Sequence, residues 1–591
     1  MNPLGMVLGS REAGALDFWV AVQEGEYLRL DDMVFASAKH PNPRVGMVRY
    51  YGMVDQVVKF HEGSQFDTDV FLAQKQLLPV STSFAAHVKI TRLEPEEYLP
   101  PDPGSLVYRA EGETLEKALY YDRMNNHRGS TKLPVGLLKN GEVAYVNLEF
   151  LNGVKGGHVN ISGISGVATK TSYATFLLYS LFNSGVLADA ANARALVFNV
   201  KGEDLFFLDK QSNRLTAEEK ARYHALGLPD APFRQVSFRA PPKPTAGDLM
   251  PNVESRKRDV DTYHWDLAQF CREGLLPFLF TDRGAMTNLG FLIDQIAERL
   301  RKLADGQKGP YLVVEDWEDP ESLGEQGITF DALGKARLSN FGDLVRYIEY
   351  KLLGLTTSPL SEADDAEPKG ADPRWVARQA RGTLEAFVRR LRASLANVHA
   401  LVRGDRPGNP PDPLASTSQL TVIDIHQLQG QAQMFVVGSI LKKVFEKKER
   451  SEFAGRVFIV LDELNKYAPR EDQSPIKDIL LDIAERGRSL GVILIGAQQT
   501  ASEVERRIVA NAAIRVVGRL DAAEAERPEY RYLPPSFLQR AVILPQGTMI
   551  VQQPELPVPL PLTFPIPAWA TKAEEALIDN STEALEKEFG L

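Results

Sequence analysis

The sequence contains a single cysteine, Cys271, among 591 residues. One thiol excludes an intrachain disulfide framework and a zinc site built from several cysteines, and it is typical of the reducing cytosol. The sequence also lacks a run of about 18 apolar residues, so we expect no membrane-spanning helix. Its first residues show no basic segment followed by an apolar core, so a signal peptide is not expected. These absences predict a cytoplasmic protein without a membrane partner.

Basic residues do not outnumber acidic residues. The chain has 68 Lys and Arg against 78 Asp and Glu, and its formal net charge is −10. This balance argues against a uniformly basic surface for nucleic acid, but it allows a local basic groove or pore. Hydrophobic residues make up 44% of the chain, which is enough for large cores, and the length is typical of roughly three to four domains.

Short apolar segments separated by turn-forming residues fill the first part of the sequence. Phe18, Val20 and Val22, for example, have the two-residue spacing of a strand. Because no helical pattern separates these segments, residues 1–110 are predicted to form a small antiparallel β-barrel.

Strand and helix patterns alternate in two separate stretches, 140–204 and 416–553. Such alternation is typical of a parallel sheet with crossover helices, so the predicted fold class is α/β. The intervening stretch, 205–415, is mostly helical in pattern: Leu289, Leu292, Ile293 and Ile296 recur at three- and four-residue spacing. We therefore predict a discontinuous α/β core with an inserted helical domain.

Prolines crowd the segment after residue 553, at positions 554, 557, 559, 561, 565 and 567. Because proline has no backbone N–H and a fixed φ, residues 554–591 are predicted to run as an extended arm, not as a helix or a central strand. Two placements fit this pattern: an arm that lies on a neighbouring subunit, and an exposed tail.

A candidate phosphate-binding loop, residues 163–172, lies between a short strand pattern and an apolar helix pattern. Such a loop needs backbone N–H groups, a lysine for the phosphates and a hydroxyl for Mg²⁺. We predict that ATP is bound by Gly163, Ser165, Gly166, Val167, Ala168, Thr169, Lys170, Thr171 and Ser172, and that Thr171 also binds Mg²⁺.

The match of this loop to G-x-x-x-x-G-K-[ST] is incomplete. Counted from Lys170, the two glycine positions hold Ile164 and Thr169. Alternatively, Gly163 is the first glycine and the loop carries one extra residue. A glycine-rich helix start with no ligand is the structural alternative.

A second motif ends the apolar run 457–461 with Asp462 and Glu463. A buried strand of this kind is expected to bring both carboxylates to the C-terminal edge of a parallel sheet, where such sheets bind ligands. We predict that Asp462 binds Mg²⁺ through water and that Glu463 orients and polarises the attacking water. Carboxylates that only cap the following segment are the alternative.

A third strand pattern, 492–495, runs into Gln498 and is preceded by Arg486 and Arg488. A neutral glutamine beside a γ-phosphate can orient water and respond to phosphate loss, so Gln498 is a candidate sensor. An arginine that reaches across a subunit boundary can neutralise charge in the transition state. Arg488 is the first candidate for this role and Arg486 the second. A polar strand end and a surface salt bridge are the alternatives.

Three segments carry a resemblance to a known family: 462–469 (DELNKYAP), 485–488 (ERGR) and 496–499 (GAQQ). They resemble the HerA family of the HerA/FtsK hexameric DNA translocases, and the resemblance covers most of the chain. It implies a RecA-like P-loop ATPase core, an N-terminal HAS-like barrel, and a homohexameric ring that binds ATP and Mg²⁺ at subunit interfaces. The implied function is ATP-driven translocation of double-stranded DNA, as a translocase or helicase. The implied partner is a NurA-type nuclease, in DNA end resection and double-strand break repair.

The resemblance assigns Lys170 and Thr171 to phosphate and metal, Asp462 and Glu463 to the Walker B pair, Gln498 to the sensor and Arg488 to the trans-acting arginine. Two departures from the family pattern bear on turnover. The loop lacks its usual final glycine, and Asn199 stands where family members commonly carry an aspartate. We expect either weakened hydrolysis or a substitute role for Glu203.

Two other functions fit the same residues: a protein-remodelling P-loop ATPase, and a weakly active ring that scaffolds a nuclease. The sequence also has basic clusters that are candidates for DNA contact, although most such clusters only face solvent. They are Arg256-Lys257-Arg258, the segment with Arg374, Arg378, Arg381, Arg389, Arg390 and Arg392, and the segment with Lys442, Lys443, Lys447, Lys448 and Arg450.

Overall fold

The computed structural model describes residues 2–64, 66–127, 129–164, 170–244, 249–256, 258–280, 287–315, 317, 329–330, 334–354, 371–376 and 378–577. The chain divides into two compact units. Unit 1 comprises Met1–Ala190, Thr216–Asp230 and Ala513–Ile566. Unit 2 comprises Ala191–Leu215, Ala231–Ala512 and Pro567–Leu591.

Unit 1 begins with a closed antiparallel barrel. Its strands are β1 (Gly5–Val7), β2 (Asp17–Val22), β3 (Met33–Lys39), β4 (Met47–Glu62), β5 (Ser81–Glu94) and β6 (Leu106–Arg109). They follow the order β1-β2-β5-β4-β3-β6 around the barrel. Phe18, Val20 and Val88 are fully buried inside it, because alternate residues of a strand face the same side. The predicted small barrel is confirmed.

The remaining strands, in chain order, are β7 (Asn125–Asn126), β8 (Gly129–Ser130), β9 (Lys132–Leu137), β10 (Val143–Asn147), β11 (Val159–Ser162), β12 (Arg194–Asn199), β13 (Val236–Ala240), β14 (Val260–Thr262), β15 (Trp265–Asp266), β16 (Leu312–Val314), β17 (Thr329–Phe330), β18 (Ala336–Leu338), β19 (Val402–Arg403), β20 (Leu420–Asp424), β21 (Val457–Asp462), β22 (Val492–Gln498), β23 (Ile514–Val517), β24 (Thr548–Gln552) and β25 (Leu560–Thr563).

The α-helices are α1 (Asp69–Gln74), α2 (Glu113–Ala118), α3 (Lys170–Asn183), α4 (Ala217–Ala225), α5 (Leu267–Arg272), α6 (Thr287–Ala304), α7 (Phe341–Leu353), α8 (Pro373–Val376), α9 (Arg381–Val398), α10 (Gly430–Glu449), α11 (Leu464–Tyr467), α12 (Pro475–Leu490), α13 (Arg506–Asn511), α14 (Ala522–Ala525) and α15 (Pro535–Ala541). Short 3₁₀ turns span Tyr121–Arg123, Leu148–Phe150, Ala190–Asn192, Leu276–Leu279, Ala501–Glu503, Pro528–Tyr530 and Ala573–Glu575.

The second part of unit 1 is a mixed sheet covered by α3. β11 pairs in parallel with β23, and β24, β25, β9 and β10 continue the sheet through antiparallel pairs. Helix α3 is held against β9 by two hydrogen bonds. Tyr173 Oη donates to the carbonyl of Val135 over 3.1 Å, and Ser180 Oγ donates to the carbonyl of Pro134 over 2.6 Å.

Part of the proline-rich C-terminal segment is a sheet strand, which the proline content argued against. β25 lies between β24 and β9, with Pro561 opposite Ile550 of β24. It meets β9 only at Thr563, opposite Leu137. The missing N–H of Pro561 therefore interrupts no ladder on the β9 side, so a central position is compatible with proline here. Residues 554–559 and 564–572 form neither a helix nor a strand, and residues 578–591 of the predicted arm lie outside the described residues.

Unit 2 contains a parallel sheet whose strands follow the order β22-β21-β12-β20-β13-β14. Every neighbouring pair in this order is parallel. All residues of β21 are buried, as expected for a strand covered on both faces. Because the strands are parallel, their carboxyl ends share one edge. In the register, Asn199 lies opposite Asp424, and Asp462 lies opposite Ala497. The predicted α/β class is confirmed.

The stretch 205–415 is not purely helical. It contains α4 to α9, as the pattern predicts, but also β13 and β14, which extend the parallel sheet of unit 2 beyond β20. These strands are five and three residues long, too short to show a clear period in the sequence. The predicted domain boundaries stay predictions.

Within the described ranges, no helix is long and apolar enough to cross a membrane.

Candidate active site

The loop predicted to bind phosphate joins β11 to α3 in unit 1. Lys170, the first residue of α3, is 4% exposed. Its Nζ donates a 2.7 Å hydrogen bond to the carbonyl oxygen of Gly163, which follows β11. A buried ammonium group is costly unless its donors are satisfied. This bond therefore satisfies a donor of the lysine and fixes its side chain at the start of the helix.

Close packing explains the glycine at position 163. A Cβ on Gly163 would lie 3.2 Å from the carbonyl oxygen of Arg519, which also accepts the N–H of Ile164 over 2.7 Å. Thr171 and Ser172 lie in the first turn of α3 and are half-buried. The predicted ligands Ser165, Gly166, Val167, Ala168 and Thr169 lie outside the described residues.

The two predicted carboxylates lie at the carboxyl end of β21 in unit 2. Asp462 is 5% exposed, and its Oδ1 accepts the backbone N–H of Glu463 over 2.8 Å. Glu463 has a φ of +55°, in the left-handed region that residues other than glycine rarely adopt. Such backbone strain is concentrated at functional sites. The turn starts α11 and leaves the Glu463 side chain 25% exposed.

Lys201, in the loop after β12, faces both carboxylates. Its Nζ lies 2.9 Å from Oε1 of Glu463 and 3.9 Å from Oδ2 of Asp462. Carboxylate oxygens are the hard ligands that Mg²⁺ prefers, and here they already face a cation. The two carboxylates could therefore supply oxygen ligands to a magnesium ion, in the place that the ammonium group of Lys201 takes here. In the part of the chain that the structure describes, there is no cluster of three or more His, Cys, Asp or Glu side chains that could hold a metal ion by itself.

A hydrogen-bond network pins the loop that carries Lys201. Asn199 ends β12 and is 2% exposed. Its Nδ2 donates to Oδ1 of Asp424 over 2.7 Å and to the carbonyl oxygen of Gly202 over 2.7 Å. Asp424 is fully buried at the end of β20. The amide of Asn199 therefore joins two neighbouring strands to the Lys201 loop.

His426 completes this network, and the sequence analysis identified neither it nor Asp424. Nδ1 of His426 lies 2.8 Å from Oδ1 of Asp424, and the hydroxyl of Tyr263 donates to the Asp424 backbone carbonyl over 2.7 Å. Burial raises the pKa of Asp424, and the hydrogen bond to Asp424 raises the pKa of His426. Asp424 could have been found from the sequence, because it is an acidic residue at the end of an apolar strand, as Asp462 is.

Glu203, considered as a substitute for the missing aspartate, is engaged elsewhere. Its Oε1 accepts the backbone N–H of Glu254 over 2.8 Å, and its Oε2 accepts that of Ser255 over 2.6 Å. Burial raises the pKa of Glu203, but the hydrogen bonds from Ser255 and Glu254 outweigh burial and hold the pKa below its usual value. Both oxygens thus bind a backbone segment. A catalytic role for Glu203 stays a prediction.

Gln498 is the last residue of β22 and is fully buried. Ala497 lies opposite Asp462 on the neighbouring strand, and Gln498 is the next residue along β22. This register places the amide at the same sheet edge as the carboxylates. Its role as a sensor stays a prediction.

The two candidate arginines lie on the exposed side of α12. This helix begins after Ser474, whose Oγ accepts the N–H of Ile476, and ends at Gly491 with a φ of +70°. Arg486 pairs with Glu449 and lies 4.0 Å from Asp482. Arg488 is exposed. The exposure of both side chains is compatible with a role at a subunit boundary.

Several predicted basic clusters are engaged in ion pairs. Arg256 is 8% exposed and binds Asp209 through two hydrogen bonds of 2.6 and 3.0 Å. Arg392 makes a forked pair with Glu349. Lys447 lies 2.6 Å from Asp412. Lys257 lies outside the described residues. Because Arg256 is buried in its pair, it is a weaker candidate for phosphate contact. The Arg392 side chain is 63% exposed, and an exposed pair of this kind contributes little, so it does not argue against phosphate contact.

No protein-family model matches the chain, and no curated protein matches it. Among solved structures, it is similar to the bacterial conjugative coupling protein TrwBdeltaN70, with 12% identity, a TM-score of 0.42, and coverage of 76% of this chain and 91% of that one. It is also similar to VirB4 of Thermoanaerobacter pseudethanolicus, with 13% identity, a TM-score of 0.42, and coverage of 75% and 97%.

A shorter match covers 23% of this chain and 63% of the genome packaging NTPase B204 from Sulfolobus turreted icosahedral virus 2 in complex with ATP-gammaS, with 16% identity and a TM-score of 0.18. Similarities at this level assign neither a family nor a function to the chain.

Proposed function

We propose that the chain is an ATPase that moves double-stranded DNA, as a translocase or helicase of the HerA type. The observation that carries this proposal is the buried Lys170, held by Gly163 at the start of a helix that follows a buried strand. A lysine at this position can exchange a backbone carbonyl for phosphate oxygens at little cost in burial. The carboxylates at the end of β21, and the resemblance of segments 462–469 and 485–488 to that family, support the same function.

In this proposal each residue has one role toward ATP. Lys170 binds the phosphates, and Thr171 and Asp462 hold Mg²⁺, which would neutralise phosphate charge. Glu463 orients and polarises the attacking water, and Gln498 responds to the γ-phosphate. Arg488, or Arg486 in second place, contributes positive charge to a neighbouring subunit. The proposed assembly is a homohexameric ring in the cytoplasm. Its proposed partner is a NurA-type nuclease, in DNA end resection and double-strand break repair.

A weakly active scaffold ring is the second candidate, and one observation favours it. Lys201 pairs with Glu463, the proposed catalytic carboxylate, at 2.9 Å. A carboxylate that stays paired in this way would polarise water poorly. A protein-remodelling ATPase is the third candidate, and it differs from the first in its response to DNA.

The proposal is tested by the steady-state ATP hydrolysis rate with and without linear duplex DNA. We expect DNA to stimulate turnover in the wild type. Glu463→Gln is expected to lower turnover about 100-fold or more, because general-base contributions are of this size, and to leave ATP binding intact. Glu452→Gln is a matched control, since it neutralises a carboxylate whose cation, Arg450, lies 3.9 Å away.

Three outcomes separate the candidates. Turnover that DNA stimulates and Glu463→Gln abolishes supports the DNA motor. Turnover that DNA leaves unchanged would favour protein remodelling, and ATP binding with negligible turnover would favour the scaffold.

A further inference from the structure

The ammonium group of Lys201 faces the two carboxylates at the end of β21. Nζ of Lys201 lies within 2.9 Å of Glu463 and 3.9 Å of Asp462. The Asp462 side chain is only 7% exposed, so water screens its charge poorly. Adjacent carboxylates repel each other, and an ammonium group between them offsets this repulsion. Lys201 thus supplies positive charge to both carboxylates.

The position of Lys201 is built into the fold. Gly202, the next residue, has a φ of +57°, which favours glycine. Its carbonyl oxygen is fixed by the side chain of Asn199, and Asn199 is fixed in turn by the buried Asp424. Lys201 therefore lies on a loop that is fixed between Asn199 and Gly202, in contrast to a lysine on a surface helix.

We propose that Lys201 is a positioning residue that acts as an internal counter-ion of Asp462 and Glu463 and leaves them when ATP binds with its metal. This inference rests on the proposed function. An ammonium group and a divalent ion that each lie within about 4 Å of the same carboxylates are at most about 8 Å apart, and at that distance they repel each other by about 1 kcal/mol even in water. The ammonium of Lys201 and a divalent ion therefore compete for the pair. As a consequence, Glu463 becomes available to water only after Lys201 has moved.

The test compares Lys201→Met with Lys210→Met. Lys210 is a matched control because its side chain is 49% exposed, against 46% for Lys201, and it faces a different carboxylate, Asp209, at 3.8 Å. Equilibrium binding of a fluorescent ATP analogue is measured as a function of free Mg²⁺. We expect the Mg²⁺ concentration for half-maximal binding to fall about fivefold in Lys201→Met, the factor that corresponds to about 1 kcal/mol. In Lys210→Met it should remain unchanged.

A second readout needs no nucleotide. Without Mg²⁺, Lys201→Met is expected to unfold at a lower temperature than the wild type, because the carboxylates lose their counter-ion. Addition of Mg²⁺ alone should raise its unfolding temperature more than that of the wild type or of Lys210→Met.

Each other outcome overturns the inference in a distinguishable way. An unchanged Mg²⁺ requirement in Lys201→Met, in a wild type that binds ATP, would overturn the counter-ion role and leave the proposed function standing. Weaker ATP binding at saturating Mg²⁺, without a shift in the Mg²⁺ requirement, would instead make Lys201 a phosphate ligand. Absence of ATP binding in the wild type at any Mg²⁺ concentration would overturn both the inference and the proposed function.

Discussion

Replacement of Lys170 by alanine is expected to lower ATP affinity roughly 10- to 100-fold, because a hydrogen bond to a charged group contributes about 1.5–3 kcal/mol. ATP turnover should fall further, by about 100-fold or more, since positive charge near the γ-phosphate matters most in the transition state. Equilibrium binding of a fluorescent ATP analogue and steady-state hydrolysis measure the two effects. Lys170 is the residue of choice because it is buried and its position is fixed by the Gly163 carbonyl.

Lys132→Ala is the control for this experiment. Lys132 is also a lysine of unit 1 with a fixed partner, Glu116 at 2.6 Å, and its side chain is 21% exposed. We expect its replacement to leave ATP affinity and turnover unchanged. If Lys170→Ala bound ATP as tightly as the wild type while remaining folded, the assignment of the 163–172 loop to phosphate binding would be wrong.

The second large effect is expected for Asn199→Asp, the substitution that brings the chain closer to the family pattern. Asn199 donates to the buried carboxylate of Asp424 over 2.7 Å. An aspartate there would place two carboxylates against each other without water and would leave the Gly202 carbonyl without its donor. We expect the free energy of unfolding to fall by about 3 kcal/mol, the lower end of the cost of an unpaired buried charge, because His426, 2.8 Å from Asp424, offsets only one of the two carboxylates. Urea unfolding followed by tryptophan fluorescence reports this change, because every tryptophan except Trp19 belongs to unit 2.

A double variant separates charge from geometry. Asn199→Asp combined with Asp424→Asn restores a donor and an acceptor between β12 and β20, so it should recover more than half of the lost stability. Recovery should be incomplete, because the Gly202 carbonyl still faces an acceptor. The loss in the single variant should also shrink toward acidic pH. A shared proton then neutralises one of the two carboxyl groups, whose pKa values are raised by burial and mutual repulsion. Equal stability of the single and double variants would contradict this explanation.

Local patterns in the sequence sufficed to predict the features that depend on neighbouring residues. The apolar run 457–461 followed by two acids predicts a buried strand with carboxylates at its end, and β21 has this form. The two-residue spacing around Phe18 likewise predicts a strand of the barrel. In both cases a few consecutive residues determine which side chains are buried, so the pattern is visible without knowledge of the fold.

Features that depend on strand register could not be predicted. Asn199 and Asp424 meet because β12 and β20 are parallel neighbours, although 225 positions separate them in the chain. The same holds for Lys201, which reaches Glu463 across the β12–β21 pair. The family pattern predicts an acid at position 199, where this chain has Asn199. The structure shows that it is the donor to a different acid, and that this acid lies on the next strand. Strand β25 could not be predicted for a similar reason. It can contain Pro561 because it pairs with β9 only at Thr563, and this pairing is not visible in the sequence.

The central claim, that ATP hydrolysis moves the protein along duplex DNA, is tested most directly by displacement of a triplex-forming strand from linear duplex DNA. We expect displacement by the wild type with ATP and Mg²⁺. We expect none with a non-hydrolysable analogue, and none for Glu463→Gln, which should still bind ATP. ATP turnover stimulated by the duplex without displacement of the third strand would contradict translocation.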